Sequence, residues 1–200
     1  MASRKEVFLM PHGFPGGKFR IFHVETQRYL VKRGGNVHSA DTSATYDAPG
    51  GTSKPTPGLR SGLRSSADEV WSYDDGGRLV NAVEEAAGRG HYVLRVLDSG
   101  GVSMIGAGSL YGARWEFTDG FIKVRDRHQY LVGSADDHDP CTADSYAIYA
   151  ARYQERERDI RMRLRLSPSD EIPEEYKWLM GPAPDKEKVE ASQKWELKKA

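Results

Sequence analysis

The stretch "WSYDDGGRLV", residues 71–80, recurs with small changes as "WEFTDGFIKV", residues 115–124. Each copy places a tryptophan, a polar residue and an aromatic residue before an acidic turn with glycine, and an apolar segment follows. The two tryptophans are about 44 residues apart. That spacing is typical of a four-stranded unit that buries its inner face only by stacking against copies of itself. A fainter third copy, "EEYKWLMGPAP", is predicted around Trp178.

A second pattern precedes each tryptophan and predicts further strands. In the segments 19–33, 79–96 and 121–134, an apolar strand and a polar hairpin lead to a tyrosine followed by two aliphatic residues. Phe19 and Ile21 stand two apart, as in a half-buried strand. A third strand of each unit is predicted within 36–43, 101–108 and 146–153, so each unit has four strands.

Six aromatic side chains at corresponding places in the units are predicted to form the core. Burial of each tryptophan contributes several kcal/mol, and a small β domain has few other side chains of that size. The predicted core residues are Trp71, Trp115, Trp178, Tyr29, Tyr92 and Tyr130.

The chain is predicted to be one domain with a short leading segment and a polar tail. Residues 1–17 precede the domain, which spans 18–182, and residues 183–200 form a helical or disordered tail. The three repeats are predicted at about 18–76, 77–119 and 120–182.

Two insertions and the tail explain the rest of the length. Residues 41–67, rich in Gly, Pro, Ser and Thr, are predicted to be a long exposed loop. Within residues 154–175, apolar residues alternate with arginine from Ile160 to Leu166, which predicts an added strand; the Glu/Arg run before it fits a helical turn equally well. In the tail, Val189, Trp195 and Leu197 form a candidate docking edge.

The repeats resemble the β-trefoil lectins of the ricin B-chain type, over roughly residues 18–180. That family carries a Gln-x-Trp motif, and the matching triplets end at Trp71, Trp115 and Trp178, each with the tryptophan and without the glutamine. The resemblance implies an all-β fold, a β-trefoil of three four-stranded repeats with pseudo-threefold symmetry. It also implies a non-enzymatic binding module for carbohydrate.

The sugar sites of that family need an aspartate after the second strand of a unit, an aromatic platform and an amide. The aspartate positions fall on Lys32, Arg95 and Gly133, none of which accepts hydrogen bonds through a carboxylate. Asp98 and Asp136 lie three residues after two of these positions. The third unit is therefore the best lectin candidate, with a predicted ligand site formed by Asp136, Asp137, Tyr149 and Glu175.

The alternative is a β-trefoil that binds a protein, such as a protease, through one exposed loop. A preordered loop loses less conformational entropy on binding. Residues 41–67 are long, contain proline and present three basic side chains: Lys54, Arg60 and Arg64. The expected partner is thus a glycan or a protein, and the sequence does not indicate an oligomeric state.

Charge and cysteine content exclude several other classes. The 29 basic and 29 acidic residues cancel, so neither nucleic acid nor a membrane surface is an expected partner. The first apolar run, residues 7–10, is too short for a signal peptide. With one cysteine, Cys141, the chain forms no internal disulfide, and a cytoplasmic location is expected.

Residues 125–141 gather aspartates, histidines and Cys141, but their spacing matches no zinc or calcium motif. We interpret them as a polar loop whose aspartates cap turns. No nucleophile with a neighbouring base and no glycine-rich phosphate loop stands out. The sequence therefore predicts no metal, no cofactor and no catalytic residues.

Overall fold

The computed structural model describes residues 12–33, 36–40, 69–82, 92–106, 112–134, 139 and 141–200. Within these ranges the chain forms twelve strands and three helices. The strands are β1 (Lys18–His23), β2 (Arg28–Arg33), β3 (Asn36–Ala40), β4 (Val70–Tyr73), β5 (Leu79–Asn81), β6 (Tyr92–Val96), β7 (Val102–Gly106), β8 (Trp115–Thr118), β9 (Phe121–Val124), β10 (Tyr130–Val132), β11 (Thr142–Asp144) and β12 (Trp195–Lys199). The helices are α1 (Tyr146–Leu164), α2 (Glu174–Lys177) and α3 (Lys186–Ala191).

The strands form two antiparallel sheets of unequal size. The larger has eight strands in the order β12-β1-β2-β3-β7-β6-β5-β4, and an additional pairing of β1 with β4 closes seven of them into a ring. The smaller has four strands in the order β11-β10-β9-β8. The first strand makes the closure possible because Lys18 to Arg20 pair with β4, whereas Phe22 and His23 pair with β2.

The predicted β-trefoil of three equivalent repeats is wrong, although the core is made of strands as expected. Eight strands belong to one sheet and four to the other, which is not a plain threefold division. The physical reason is long-range pairing: β12, the last strand of the chain, pairs with β1 along its whole length. Local sequence patterns do not encode which distant edge a strand will join.

The strands predicted within 146–153 and 160–166 are also wrong, because this part of the chain is helical. Helix α1 begins after Ser145, whose hydroxyl accepts a hydrogen bond from the Ile148 amide, and it ends at Arg165 in the left-handed region at φ 54°. Alanine, arginine and glutamate in this stretch are strong helix formers. The only buried residue of α1 is Ile160, so the apolar–arginine alternation does not mark a buried face. The helical interpretation of the Glu/Arg run is confirmed.

The core cluster contains residues from strands of both sheets and three of the four tryptophans. Trp71 and Trp115 are fully buried as predicted, and the third buried tryptophan is Trp195, which is 1% exposed. Trp178, predicted to be core, is 74% exposed in the turn after α2.

The three tyrosines predicted to be core residues are only half-buried. Tyr92 packs against the core cluster. The rings of Tyr29 and Tyr130 lie edge-on to Phe22 and Phe121. They support the rim of the core more than its centre.

The segment after Pro184 folds onto the sheet. Asp185 caps α3 by accepting hydrogen bonds from the amides of Glu187 and Lys188. The chain then enters β12, where Trp195 is paired with His23 and Leu197 with Ile21. In the expected docking edge, therefore, Trp195 and Leu197 contact the chain's own first strand.

Candidate functional site

A polar groove opens where three chain segments meet, with a volume of about 560 Å³. Its wall is apolar where Val96, Leu97 and Val124 contribute, and small at Gly112 and Ala113. Five charged side chains complete the lining: Arg95, Asp98, Arg114, Asp126 and Arg127. We call these ten residues the polar groove.

Tight turns place the charged residues of the polar groove. In the turn between β6 and β7, the Leu97 amide donates to the Gly101 carbonyl oxygen at 2.7 Å, and Gly100 has a φ of 85° that favours glycine. This turn exposes Asp98. In the turn after β9, the Arg127 amide donates to the Val124 carbonyl oxygen at 3.2 Å.

Backbone hydrogen bonds hold the groove segment 112–114 against the segment 124–127. The Arg125 amide donates to the Arg114 carbonyl oxygen at 2.8 Å, which brings Arg114 beside the turn that carries Asp126. The Ala113 amide donates to the Leu94 carbonyl oxygen at 3.2 Å, which ties the same segment to β6. Two segments of the groove are therefore strand ends with their turns, and backbone hydrogen bonds hold the third segment, residues 112–114, against them.

Most charged side chains of the polar groove form no ion pair or hydrogen bond within the described residues. The guanidinium of Arg95 donates from Nε to the Ser103 hydroxyl at 2.9 Å. Across the described ranges, the side chains of Asp98, Arg114, Asp126 and Arg127 form neither an ion pair nor a hydrogen bond. Hydrogen-bond donors and acceptors are thus both available to a ligand.

A second concavity lies between α1 and the segment 182–189, with a volume of about 460 Å³. Its lining residues are Tyr149, Arg152, Tyr153, Arg156, Pro182, Ala183, Pro184, Asp185, Lys188 and Val189. We call it the helix cavity. Burial raises the pKa of the Tyr149 phenol, so this side chain is neutral at physiological pH.

Ion pairing and hydrogen bonding hold the arginines of the helix cavity. Arg152 donates from Nη1 to Oδ2 of Asp144 at 2.8 Å, and Asp144 is 3% exposed. Burial raises the pKa of the Asp144 carboxyl, and the Arg152 guanidinium opposes that shift. One turn along α1, Arg156 donates from Nη1 to the Met180 carbonyl oxygen at 3.3 Å.

The four residues of the predicted lectin site are only partly described. Tyr149 is on α1, not on a strand, and lines the helix cavity. Glu175 is exposed on α2. Asp136 and Asp137 lie outside the described residues, as do the three basic residues of the predicted protein-binding loop, Lys54, Arg60 and Arg64. Both predictions stay predictions.

No group of three His, Cys, Asp or Glu side chains within the described residues is placed to hold a metal ion. Of the candidates in the segment 125–141, Asp126 lines the polar groove and Cys141 is fully buried. None of the helices that the structure describes is long and apolar enough to cross a membrane.

Two features escaped the sequence analysis. The triplet ending at Trp195 begins with Gln193, which is buried and donates from Nε2 to the Asp144 carbonyl oxygen at 3.2 Å. The residues "QKW" were the signal for this third tryptophan. The arginines of the polar groove had no local signal, because they come from separate segments.

No known protein family matches the chain, and no curated protein matches it either. Among solved structures, the chain is similar to the solution structure of the mdaA-1 domain, with a TM-score of 0.50 and 13% identity, over 100% of this chain and 98% of that one. It is also similar to the C-half of the earthworm R-type lectin in complex with GalNAc, with a TM-score of 0.46 and 9% identity, over 92% of this chain and 98% of that one.

The likeness to the mdaA-1 domain concerns the fold alone, because the identity is low. The likeness to the lectin half, at its lower TM-score, supports no conclusion about the ligand of this chain.

Proposed function

We propose that this chain is a non-catalytic carbohydrate-binding domain and that the polar groove is its sugar site. The observation that carries the proposal is the meeting of two carboxylates and three guanidinium groups in one groove of about 560 Å³. Four of the five side chains have no ion pair or hydrogen bond within the described part of the protein.

Sugar hydroxyls both donate and accept hydrogen bonds, so a sugar needs both kinds of partner. Asp98 and Asp126 supply acceptors, and the arginines supply donors in a planar fork. Hydrogen bonds to charged groups contribute about 1.5–3 kcal/mol each, roughly twice as much as neutral ones. A groove with both signs of charge therefore suits a polyhydroxylated ligand better than a simple anion or cation.

Of the features that the sequence resemblance to ricin B-type lectins implies for a sugar site, the groove offers the carboxylate, and no aromatic side chain is among its described lining residues. The family's aspartate position falls on Arg95, which cannot accept the hydroxyl hydrogen bonds. Asp98, three residues later, lies on the same groove and takes over the acceptor role in this proposal. Because the groove is open to water, we expect affinities of about 1 mM to 1 μM for a monovalent sugar.

A glycan array followed by titration of the best ligand tests the proposal. We expect Asp98→Asn and Asp126→Asn each to weaken binding about tenfold or more. Asp75→Asn is the matched control, because Asp75 is exposed in a turn and does not line the groove. Binding unchanged in both groove variants would contradict the site.

A glycan array without any binding would contradict the function. The protein-binding alternative through residues 41–67 would be supported instead if a protease were inhibited and if Lys54→Ala, Arg60→Ala or Arg64→Ala abolished the inhibition.

A further inference from the structure

We propose that the helix cavity is a second binding site, for a small molecule in which an aromatic ring carries an oxyanion, either a carboxylate or a phosphate. The inference concerns α1 and the segment 182–189 and is independent of the sugar site in the polar groove. The helix cavity has a volume of about 460 Å³, which lies in the range of small-molecule sites.

One face of α1 forms the first wall of the helix cavity. Four lining residues recur at the spacing i, i+3, i+4, i+7, which places them on the same side of the helix: Tyr149, Arg152, Tyr153 and Arg156. Tyrosine and arginine thus alternate along this face. Each aromatic ring has a cation within one helical turn.

The other lining residues come from the segment before and within α3, and most of them are apolar. Pro182, Pro184 and Val189 line the helix cavity together with the two tyrosines. Flat rings pack well on aromatic faces, and aromatic pairs contribute about 0.5–1.5 kcal/mol beyond the area that they bury. A ring between these walls uses both surfaces, whereas an ion alone would leave them exposed.

The charged lining residues of the helix cavity favour an anionic group on the ligand. Arg152, Arg156 and Lys188 are cationic, and Asp185 is the one acidic lining residue. The carboxylate of Asp185 is already engaged at Oδ1 by the amides of Glu187 and Lys188. Even with Asp144, the partner of Arg152, included, three cationic side chains stand against two carboxylates, so the charge around the helix cavity is net positive.

The arginines are also positioned before a ligand arrives. Arg152 uses one Nη of its guanidinium to bind Asp144, and Arg156 uses one Nη to bind the Met180 carbonyl oxygen. The other N–H groups of each fork are available for an oxyanion, which arginine binds in a bidentate manner. Positioned side chains lose less entropy on binding.

Titration with five probes, followed by NMR chemical shifts and calorimetry, tests the proposal. We expect phenyl phosphate and benzoate to bind at least fivefold more tightly than inorganic phosphate, acetate or benzyl alcohol. The two ring probes distinguish a phosphate from a carboxylate ligand. The proposal would be overturned if inorganic phosphate bound as tightly as the ring probes, or if neither ring probe bound.

Substitutions of lining residues test whether the ring probes bind in the helix cavity. Arg156→Gln, Tyr153→Leu and Lys188→Gln should each weaken binding of the better ring probe about fivefold or more. Lys188 is exposed, so we expect its substitution to leave the fold unchanged. Arg158→Gln is the matched control, because Arg158 is exposed on α1 and does not line the helix cavity. Asp98→Asn, in the polar groove, should bind the probe like the unmodified protein. Loss of binding in either control, or full binding in all three cavity variants, would overturn the assignment.

Discussion

The indole Nε1–H of Trp195 donates a hydrogen bond to the carbonyl oxygen of Leu131 at 2.9 Å. The same contact joins Trp71 to the carbonyl oxygen of Leu30 at 2.9 Å, and Trp115 to that of Leu94 at 3.3 Å. All three leucines are fully buried. The same hydrogen bond, from a buried indole to a leucine carbonyl oxygen, therefore occurs three times within two sheets of unequal size.

Trp195→Ala should destabilise the protein strongly, whereas Trp178→Ala should not. The first substitution leaves a cavity in the core and an unpaired carbonyl on Leu131, and large-to-small changes of this kind cost about 3–5 kcal/mol. The second removes a side chain that is 74% exposed, so the expected change is within about 0.5 kcal/mol. Denaturant unfolding of both variants measures the difference. Equal stability losses would contradict the different contributions of the two tryptophans to the core.

Gly133→Ala should destabilise the protein because a buried ring occupies the place of the new methyl group. A Cβ atom at Gly133 would lie 2.4 Å from Cε1 and 2.5 Å from each nitrogen of the His23 ring. His23 is fully buried and its ring contacts Trp195 at 4.7 Å between centroids, so it has little room to move. We expect a loss of about 1–3 kcal/mol in the free energy of unfolding.

Gly106→Ala is the matched control for Gly133→Ala. No atom lies within 4 Å of a Cβ at Gly106, and its backbone is not in the left-handed region. Its effect should stay within about 1 kcal/mol. If thermal or denaturant unfolding gave the two variants the same stability, the close approach of Gly133 to His23 would be refuted.

Stability should fall as the pH is lowered below about 6.5, with His23 as a contributor. Burial lowers the pKa of His23 from 6.5. The neutral ring donates from Nε2 to the Ser192 carbonyl oxygen at 2.9 Å, which leaves Nδ1 to accept from the Thr26 hydroxyl at 2.8 Å. Below pH 6.5 the His23 side chain is protonated in the unfolded chain but still neutral in the folded protein, because its pKa is lower there. Proton binding therefore stabilises the unfolded state relative to the folded state.

The measurement for His23 is denaturant unfolding between pH 5 and 8 in the unmodified protein and in His23→Gln. The variant should lose part of the decrease on acidification, whatever its stability at pH 8. Burial raises the pKa values of Glu69 and Asp144, and these two groups act in the opposite direction. The comparison with the variant isolates His23. Parallel pH profiles of the two proteins would contradict its contribution.

Arg152→Gln should destabilise the protein at neutral pH, and less so at acidic pH. Arg152 pairs with Oδ2 of Asp144, while Oδ1 is buried with no hydrogen-bond partner among the described residues. Without the guanidinium, the pKa of Asp144 rises further above 3.8. The buried Asp144 carboxylate then destabilises the folded state at any pH above the pKa of this carboxyl in the unfolded chain.

We expect a loss of about 1–2 kcal/mol at pH 7.5 for Arg152→Gln, smaller than for a fully buried pair because solvent screens the half-exposed arginine. The loss should shrink as the pH falls toward 4. Arg158→Gln, exposed on the same helix, should have little effect at either pH. A loss that is independent of pH would mean that Arg152 acts through packing and not through Asp144.

The sequence by itself determined the local elements around Trp71 and Trp115. The copies at Trp71 and Trp115 each form a strand, a turn and the next strand as predicted: β4 and β5, then β8 and β9. These elements were predictable because strand alternation and acidic-glycine turns are properties of neighbouring residues. The polar character of the turns that carry Asp98 and Asp126 was visible for the same reason.

Only the tertiary structure decided which tryptophan completes the core and where the charged residues meet. Trp178 lies nearer the repeat spacing, but Trp195 pairs with His23, more than 170 residues earlier in the chain. The sequence pattern predicted strands within 146–153 and 160–166 and a helical turn only in the Glu/Arg run between them, whereas the whole stretch forms α1. Arg95, Arg114 and Arg127 share a groove only because distant strands pair. Such long-range pairing depends on the burial of whole faces, which no local stretch of sequence specifies.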